Sequence, residues 1–161
     1  MAQFKNIDDL INSITTDIGS YMATGKSYLQ DEIAELMKDA VNTTVYNAYN
    51  PVMYERRGED GGLADPRNLK LVGMNKLSHK VTRLVFQNIT SGDPRYFSGD
   101  KLLDSTAETI VNGIQENWDY VGEWAKPRDF VSTLDELIRQ RQDLINNAIK
   151  RDLKRMGFKV R

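Results

Sequence analysis

Residues 29–48, LQDEIAELMKDAVNTTVYNA, decide the fold of this chain. Their apolar residues recur at the spacing of one helical face. Pro51 follows, and a proline disfavours helical geometry in the residue before it. The stretch therefore predicts a long helix that ends near Asn50. Its apolar side consists of Leu29, Ile33, Leu36, Met37, Ala40, Val41, Thr44, Val45 and Ala48.

A separate helix is predicted before this stretch. Asn6 is a candidate N-cap, and Asp8 and Asp9 follow in the first turn, where the helix dipole favours negative charge. Asp31 and Glu32 stand in the same way at the start of the second helix. Both acidic pairs are therefore explained by helix starts rather than by a metal site. The apolar face of the first helix comprises Ile7, Leu10, Ile11, Ile14, Ile18 and Tyr21.

Two strands are predicted in the middle of the chain, Leu69–Met74 and Val81–Ile89, the second rich in β-branched and aromatic residues. Asn75–Lys80 would join them as a hairpin or a short loop. Two polar segments that contain glycine, residues 58–65 and 91–104, lack an apolar pattern. We expect both to be mobile in the isolated subunit and to become ordered on assembly.

The C-terminal part predicts a short helix within Thr106–Glu116 and then one continuous helix of about seven turns. Asp129 is expected to cap the long helix, Phe130 to begin its apolar face, and Gly157 to end it. This face should pack on the second helix and on the sheet. It runs through Leu134, Ile138, Ile145, Ile149 and Leu153.

The order of these elements indicates an α+β fold with two N-terminal helices, a small antiparallel sheet and a long C-terminal helix. No internal repeat or linker divides the 161 residues, so we expect a single domain over residues 1–161. The chain is 40% hydrophobic and 28% charged, which is typical of a soluble globular domain. Residues 1–5 show no signal-peptide pattern, and no apolar run is long enough to cross a membrane.

The sequence offers little for catalysis. It contains no cysteine and one histidine, His79, so no thiolate metal site and no Cys–His or His–His pair can be assembled. The glycines near Gly58 lack the lysine and the strand-to-helix setting of a phosphate-binding loop. We therefore expect no enzymatic activity, no metal and no cofactor.

Two clusters suggest protein contacts instead. The first contains Tyr54, Arg56 and Arg57, and the second contains Trp124 and Arg128. Tyrosine, tryptophan and arginine are enriched at interfaces because they combine a large contact area with a polar end. In the alternative interpretation the tyrosines cap a small core and the arginines are only solvated. For the first cluster the two interpretations remain open.

The same clusters carry a resemblance to a known family. A Tyr-x-x-Tyr-x-Pro-x-x-Tyr-x-Arg segment, Tyr46–Arg56, closes the long helix and is followed by Gly61-Gly62-Leu63. An Ile-x-x-Gly segment, Ile110–Gly113, and an Arg-Asp-Phe step, Arg128–Phe130, come later in the same order. Over roughly Leu29 to Gly157 the chain resembles the neck and tail-completion (head–tail joining) proteins of tailed bacteriophages. It departs from them in its first helix and in residues 91–104.

The resemblance implies an α+β structural protein of the virion, located at the head–tail junction and assembled in the cytoplasm of the host bacterium. Its partners would be copies of itself in a ring, phage connector or adaptor proteins, and tail-tube or tail-terminator proteins. No membrane and no specific nucleic acid would be bound, in agreement with a net charge of -1.

The basic C-terminal end keeps an alternative open. Residues 139–161 hold eight Arg or Lys against two Asp. A small cytosolic nucleic-acid-binding or regulatory protein could use such a helix. An enzyme of unfamiliar type is disfavoured by the scarcity of titratable clusters.

Overall fold

The computed structural model describes residues 6–24, 27–48, 50, 56–78, 81–91, 106–113 and 126–160. Five α-helices and two strands lie in this part of the chain. The N-terminal helices, the antiparallel pair of strands and the C-terminal helices confirm the predicted α+β class. In chain order the elements are α1 (Ile7–Ala23), α2 (Tyr28–Val41), β1 (Leu69–Ser78), β2 (Val81–Asn88), α3 (Thr106–Asn112), α4 (Phe130–Gln140) and α5 (Gln142–Arg155).

The core is built around α2. Most of its predicted apolar side is fully enclosed, with Leu36, Met37 and Val41 at most 1% exposed. The helical path continues beyond α2 as one π-helical turn, Asn42–Tyr46, so the predicted helix ends a few residues before Asn50. The other buried apolar residues pack against this side and come from residues 63–69, α4 and α5: Leu63, Ala64, Leu69, Phe130, Ile145 and Ala148.

The start of α2 is joined to the end of α5 by one buried carboxylate. Asp152, 5% exposed, accepts hydrogen bonds from the Ser27 hydroxyl at 2.8 Å and from the backbone N–H groups of Tyr28 at 2.8 Å and Leu29 at 2.9 Å. Ser27 itself is the N-cap and accepts from the N–H of Gln30. A helix start leaves its first N–H groups without intrahelical partners, and a negative charge there is favoured by the helix dipole.

The predicted strands form an antiparallel hairpin, β1–β2, which confirms their positions. The strands run further towards the turn than expected, because β1 continues to Ser78. Two irregularities interrupt the register, one between Leu71 and Gly73 and one between Lys76 and Ser78. In each, β1 carries one residue more than β2, which makes Val72 and Leu77 the extra residues of two β-bulges.

The C-terminal helix is not continuous. It breaks at Arg141, where the backbone has φ -109 and ψ 35, so α4 and α5 are separate helices. Neither proline nor glycine causes the break. An unbroken helix over these residues would be roughly 39 Å long, whereas α2 with its π-helical turn covers roughly 28 Å. Both α4 and α5 contact α2, and an Arg141–Asp39 ion pair of 3.1 Å joins the break to α2.

The predicted apolar face of this segment is only partly correct. Ile145 is buried, and Leu134 and Ile138 pack against the core while partly exposed. Ile149 is 37% exposed, so its assignment to the core is wrong. The buried positions of α5 are Ile145, Ala148 and Asp152, so its buried side runs through position 148 and leaves the neighbouring Ile149 at the edge.

Several predicted helix boundaries are confirmed. Asn6 accepts a hydrogen bond from the N–H of Asp9 at 2.8 Å, as an N-cap does. Asp129 caps α4 through the N–H of Ser132 at 3.0 Å, and the Ser132 hydroxyl and N–H hold the pKa of the Asp129 carboxyl below its usual value. Gly157, with φ +92, follows the end of α5, and the N–H of Phe158 bonds to the carbonyl of Leu153 at 2.9 Å.

The first helix, α1, lies on the hairpin rather than in the core. Gly19 faces the Met74 side chain so closely that an added Cβ would lie 2.3 Å from Met74 Cε. Tyr21 lies near the α2–α5 junction. The pKa of its hydroxyl is raised, first by desolvation and then by the negative charge of Asp152.

Within the described ranges, no helix combines the length and the apolar character that crossing a membrane requires.

Replacing Asp152 by alanine should destabilise the fold by roughly 1–3 kcal/mol, because buried donors at the start of α2 lose a charged acceptor. The urea midpoint of unfolding measures the change. Asp143→Ala is the matched control, since Asp143 is an exposed carboxylate in the first turn of the same helix. Equal midpoints for the two variants would contradict the junction role of Asp152.

Candidate interaction surfaces

A loop of residues 56–68, which we term the arginine loop, connects the α2 region to β1. Its centre is buried, with Leu63 and Ala64 in the core. The carbonyl of Gly62 accepts from the Asn68 amide at 2.9 Å and from the Thr90 hydroxyl at 3.2 Å. The carbonyl of Leu63 accepts from the Asn88 amide at 2.8 Å. Residues after and within β2 therefore hold this loop in place.

Gly62 is required by close backbone approach. A Cβ at this position would lie 2.4 Å from the carbonyl oxygen of Gly58, which is a backbone atom. The loop can close on itself only because Gly62 has no side chain.

Asp65 stabilises the C-terminal part of the arginine loop through hydrogen bonds. Its carboxylate is 1% exposed and accepts from the Gly61 N–H at 2.6 Å and from the Arg67 guanidinium at 2.6 to 3.0 Å. The hydrogen bonds from Arg67 hold the pKa of Asp65 far below its usual value. The same pair raises the pKa of Arg67. Lys38 on α2 forms a second ion pair with Glu59 at 2.8 Å, which raises the pKa of Lys38.

These contacts correct one expectation. Residues 58–65 are predicted to be a mobile segment, yet residues 62–65 are buried within the subunit and hydrogen-bonded to it. The pattern of polar residues and glycine correctly predicts a turn. The segment is ordered by hydrogen bonds from Asn68, Asn88 and Thr90, which lie outside it. The other predicted mobile segment, residues 91–104, lies outside the described residues except for Ser91.

Arg56 and Arg57 both make contacts within the subunit. Arg56 donates to the carbonyl of Tyr46 at 2.7 Å, and its guanidinium lies 5.0 Å from the centre of the Tyr46 ring. Burial raises the pKa of Tyr46. Arg57 donates to the carbonyl of Ser91. Both arginines remain partly exposed, so each is positioned by its neighbours while keeping part of its surface in solvent.

The other predicted interface residues are placed differently. Tyr54 and Trp124 lie outside the described residues, as does His79. Arg128 is 8% exposed, which does not match the expected outward position. It lies where the chain returns from α3 to α4, and its N–H donates to the carbonyl of Ile110 at 2.9 Å. The structure therefore brings Arg56 and Arg57 together at one surface and places Arg128 in the interior.

The sequence did not single out the exposed apolar residues of the hairpin. Val72 is 51% exposed, Leu77 is 64% exposed and Val81 is 50% exposed. Two of these three are the bulge residues of β1. The sequence does contain a signal for them. Apolar and polar residues do not alternate strictly along LKLVGMNKLS, and a loss of alternation marks places where a strand does not keep one face buried.

The basic C-terminal end forms an exposed face of α5. Lys150, Arg151, Lys154 and Arg155 are all exposed. Arg151 also lies over the Tyr28 ring at 3.7 Å, so this part of the face is held against α2.

In the part of the chain that the structure describes, no three His, Cys, Asp or Glu residues are grouped as a metal site would need.

The Asp65–Arg67 pair should make stability depend on pH. Because the folded pKa is depressed, the stabilisation is present above about pH 4 and is lost as the pH falls below it, where the unfolded state binds more protons. Asp65→Asn should lower stability at neutral pH and flatten this slope.

Unfolding free energies measured from pH 2 to 6 in urea provide the test. Asp60→Asn is the control, because the side chain of Asp60 pairs with Arg67 at 3.1 Å but is 98% exposed. An unchanged acid slope in Asp65→Asn would show that the pair does not contribute.

Comparison with known proteins gives one match. The sequence model of the YomN family matches residues 6–155, which is nearly the whole chain. No curated protein and no solved structure matches significantly. The name YomN is that of a Bacillus phage-derived protein. The match covers every helix and strand from α1 to α5, and the chain therefore belongs to the YomN family.

Proposed function

We propose that this chain is a structural subunit of a phage virion that acts at the head–tail junction, as a neck or tail-completion protein. It acts by assembling into a ring of copies and by binding other proteins, and it catalyses no reaction. Its partners are connector or adaptor proteins and tail-tube or tail-terminator proteins. Assembly takes place in the cytoplasm of the host bacterium.

The observation that carries this proposal is the match of residues 6–155 to a family whose name is that of a phage-derived protein. The resemblance of Tyr46–Arg56 and of the later motifs to neck and tail-completion proteins narrows the proposal to the junction. The family match by itself supports only a link to phages and indicates no place in the virion.

The arginine loop is the proposed contact surface. Arg56 and Arg57 are held by carbonyls of Tyr46 and Ser91, which fixes their guanidinium groups while leaving them partly exposed. A preorganised guanidinium loses less conformational entropy when it binds a carboxylate, and it can do so through two parallel hydrogen bonds. Loops held by a rigid scaffold are common binding sites. Tyr54 is part of the same proposed contact.

The double variant Arg56→Ala/Arg57→Ala should fold and yet fail to join heads and tails. The measurements are a melting curve of the purified subunit and counts by electron microscopy of complete particles, free heads and free tails. We expect complete particles to be lost and unjoined heads and tails to accumulate. Normal melting together with normal particle counts would overturn the assignment.

Two further variants keep this test decisive. Arg139→Ala/Lys159→Ala removes two exposed cations that lie outside the arginine loop and outside the Trp124–Arg128 cluster, and it should leave assembly unchanged. If the double arginine variant does not fold, Arg57→Ala alone retains the Arg56–Tyr46 contact and tests the same surface.

A second candidate function is nucleic-acid binding through α5, and the exposed face of Lys150, Arg151, Lys154 and Arg155 favours it. Phosphate contacts by such residues make binding weaken steeply with salt. In this case a short DNA duplex should be retarded at physiological salt, and Lys150→Ala/Lys154→Ala should reduce the retardation. Absence of retardation by the unmodified protein would remove this candidate.

A further inference from the structure

The β1–β2 hairpin exposes three large apolar side chains. Val72, Leu77 and Val81 are each at least half exposed. A bulge re-aims the side chain of its extra residue, and here both bulges of β1 place an aliphatic side chain in solvent. In the described chain the sheet has two strands, and a two-stranded hairpin gains little stability by itself. The hairpin therefore presents a surface suited to a partner.

The N-terminal half of α1 presents a second apolar surface. Of its apolar face, Ile18 and Tyr21 pack against the core, while Leu10 is 37% exposed. Ile11 and Ile14 are partly exposed and do not belong to the core cluster. An amphipathic helix of 17 residues with an apolar stripe normally buries that stripe against another element.

The two surfaces carry opposite charge. Residues 69–88, which span the hairpin, contain four basic residues and no acidic residue, and the side chains of Lys70 and Arg83 are exposed. Residues 7–23, which form α1, contain three aspartates and no basic residue, and Asp17 is exposed. Asp17 is seven residues from Leu10, so the two lie on the same side of the helix two turns apart.

We propose that the hairpin of one subunit docks on α1 of the next, with Leu77 against the apolar stripe near Leu10 and with Lys70 and Arg83 facing the aspartates of α1. The contact joins two different surfaces of the same chain. Such a head-to-tail contact repeats from subunit to subunit and closes into a ring when the rotation permits. This inference rests on the proposed ring-forming function and names the surfaces that form the ring.

The absence of cysteine makes the contact directly testable in the full chain. Leu77→Cys and a size-tagged Leu10→Cys are prepared separately, mixed, and treated with a short bifunctional maleimide. We expect linked heterodimers from the mixture and no linked dimers from either variant alone. The matched control mixes Leu10→Cys with Leu144→Cys, because Leu144 is an exposed apolar residue on α5, 45% exposed, away from the hairpin.

The role of charge is tested in the same assay. Adding Lys70→Glu/Arg83→Glu to the Leu77→Cys variant should reduce the linked yield about tenfold, the effect of a change of about 1.4 kcal/mol. Adding Asp9→Lys/Asp17→Lys to the Leu10→Cys partner should restore the yield, because the signs are then exchanged across the contact.

Three results would overturn the proposal. The first is a yield of linked heterodimers no greater than that of the Leu144 control at every protein concentration. The second is linking of Leu77→Cys to itself. The third is a heterodimer yield that does not respond to the charge changes. The outcome is separable from the junction role. If the chain is found at the junction of purified particles but no link forms, only the hairpin–α1 contact is wrong. If the link forms and the chain is absent from particles, the contact stands and the junction role is wrong.

Discussion

The carboxylate of Asp152 is the constraint on which the rest of the structure depends. It accepts the Ser27 hydroxyl and two backbone N–H groups at the start of α2, and it does so from the last helix of the chain. A buried charge is costly unless it is fully hydrogen-bonded, and the unpaired donors at a helix start supply these bonds. The pairing fixes where α5 lies along α2. Ile145 and Ala148 are thereby placed against the core, and Arg151 is placed over the Tyr28 ring.

The arginine loop also packs against α2. Leu63 and Ala64 enter the core only because polar groups hold the backbone around them, namely Asn68, Asn88 and Thr90. Asp65 adds a buried carboxylate that is satisfied by Arg67 and by the Gly61 N–H. Both carboxylates follow one rule: each lies in the interior because several donors converge on it.

This architecture separates the parts that hold the subunit together from the parts that the proposed contacts would use. Arg56 and Arg57 are oriented by backbone carbonyls and are still partly exposed, and Val72 and Leu77 are turned outward by bulges. In the proposed junction role, a stable core around α2 would present these groups with little loss of freedom on assembly. The two proposed contacts use different chemistry. The arginine loop offers charge-assisted hydrogen bonds, whereas the hairpin and α1 combine apolar area with opposite charge.

The sequence by itself determined the elements whose causes are local. Asn6 and Asp129 mark helix starts because their side chains accept N–H groups three residues later, and Gly157 marks a helix end because it adopts a positive φ. The tertiary structure alone decided the break at Arg141, the exposure of Ile149, the burial of Arg128 and the order of residues 62–65. For three of these the deciding partner is distant in sequence: α2 for the break, Ile110 for the backbone of Arg128, and Asn88 and Thr90 for the loop. Capping signals report interactions within a few residues, and periodicity marks a face as buried without identifying the segment that covers it, so neither specifies the partner of a distant contact.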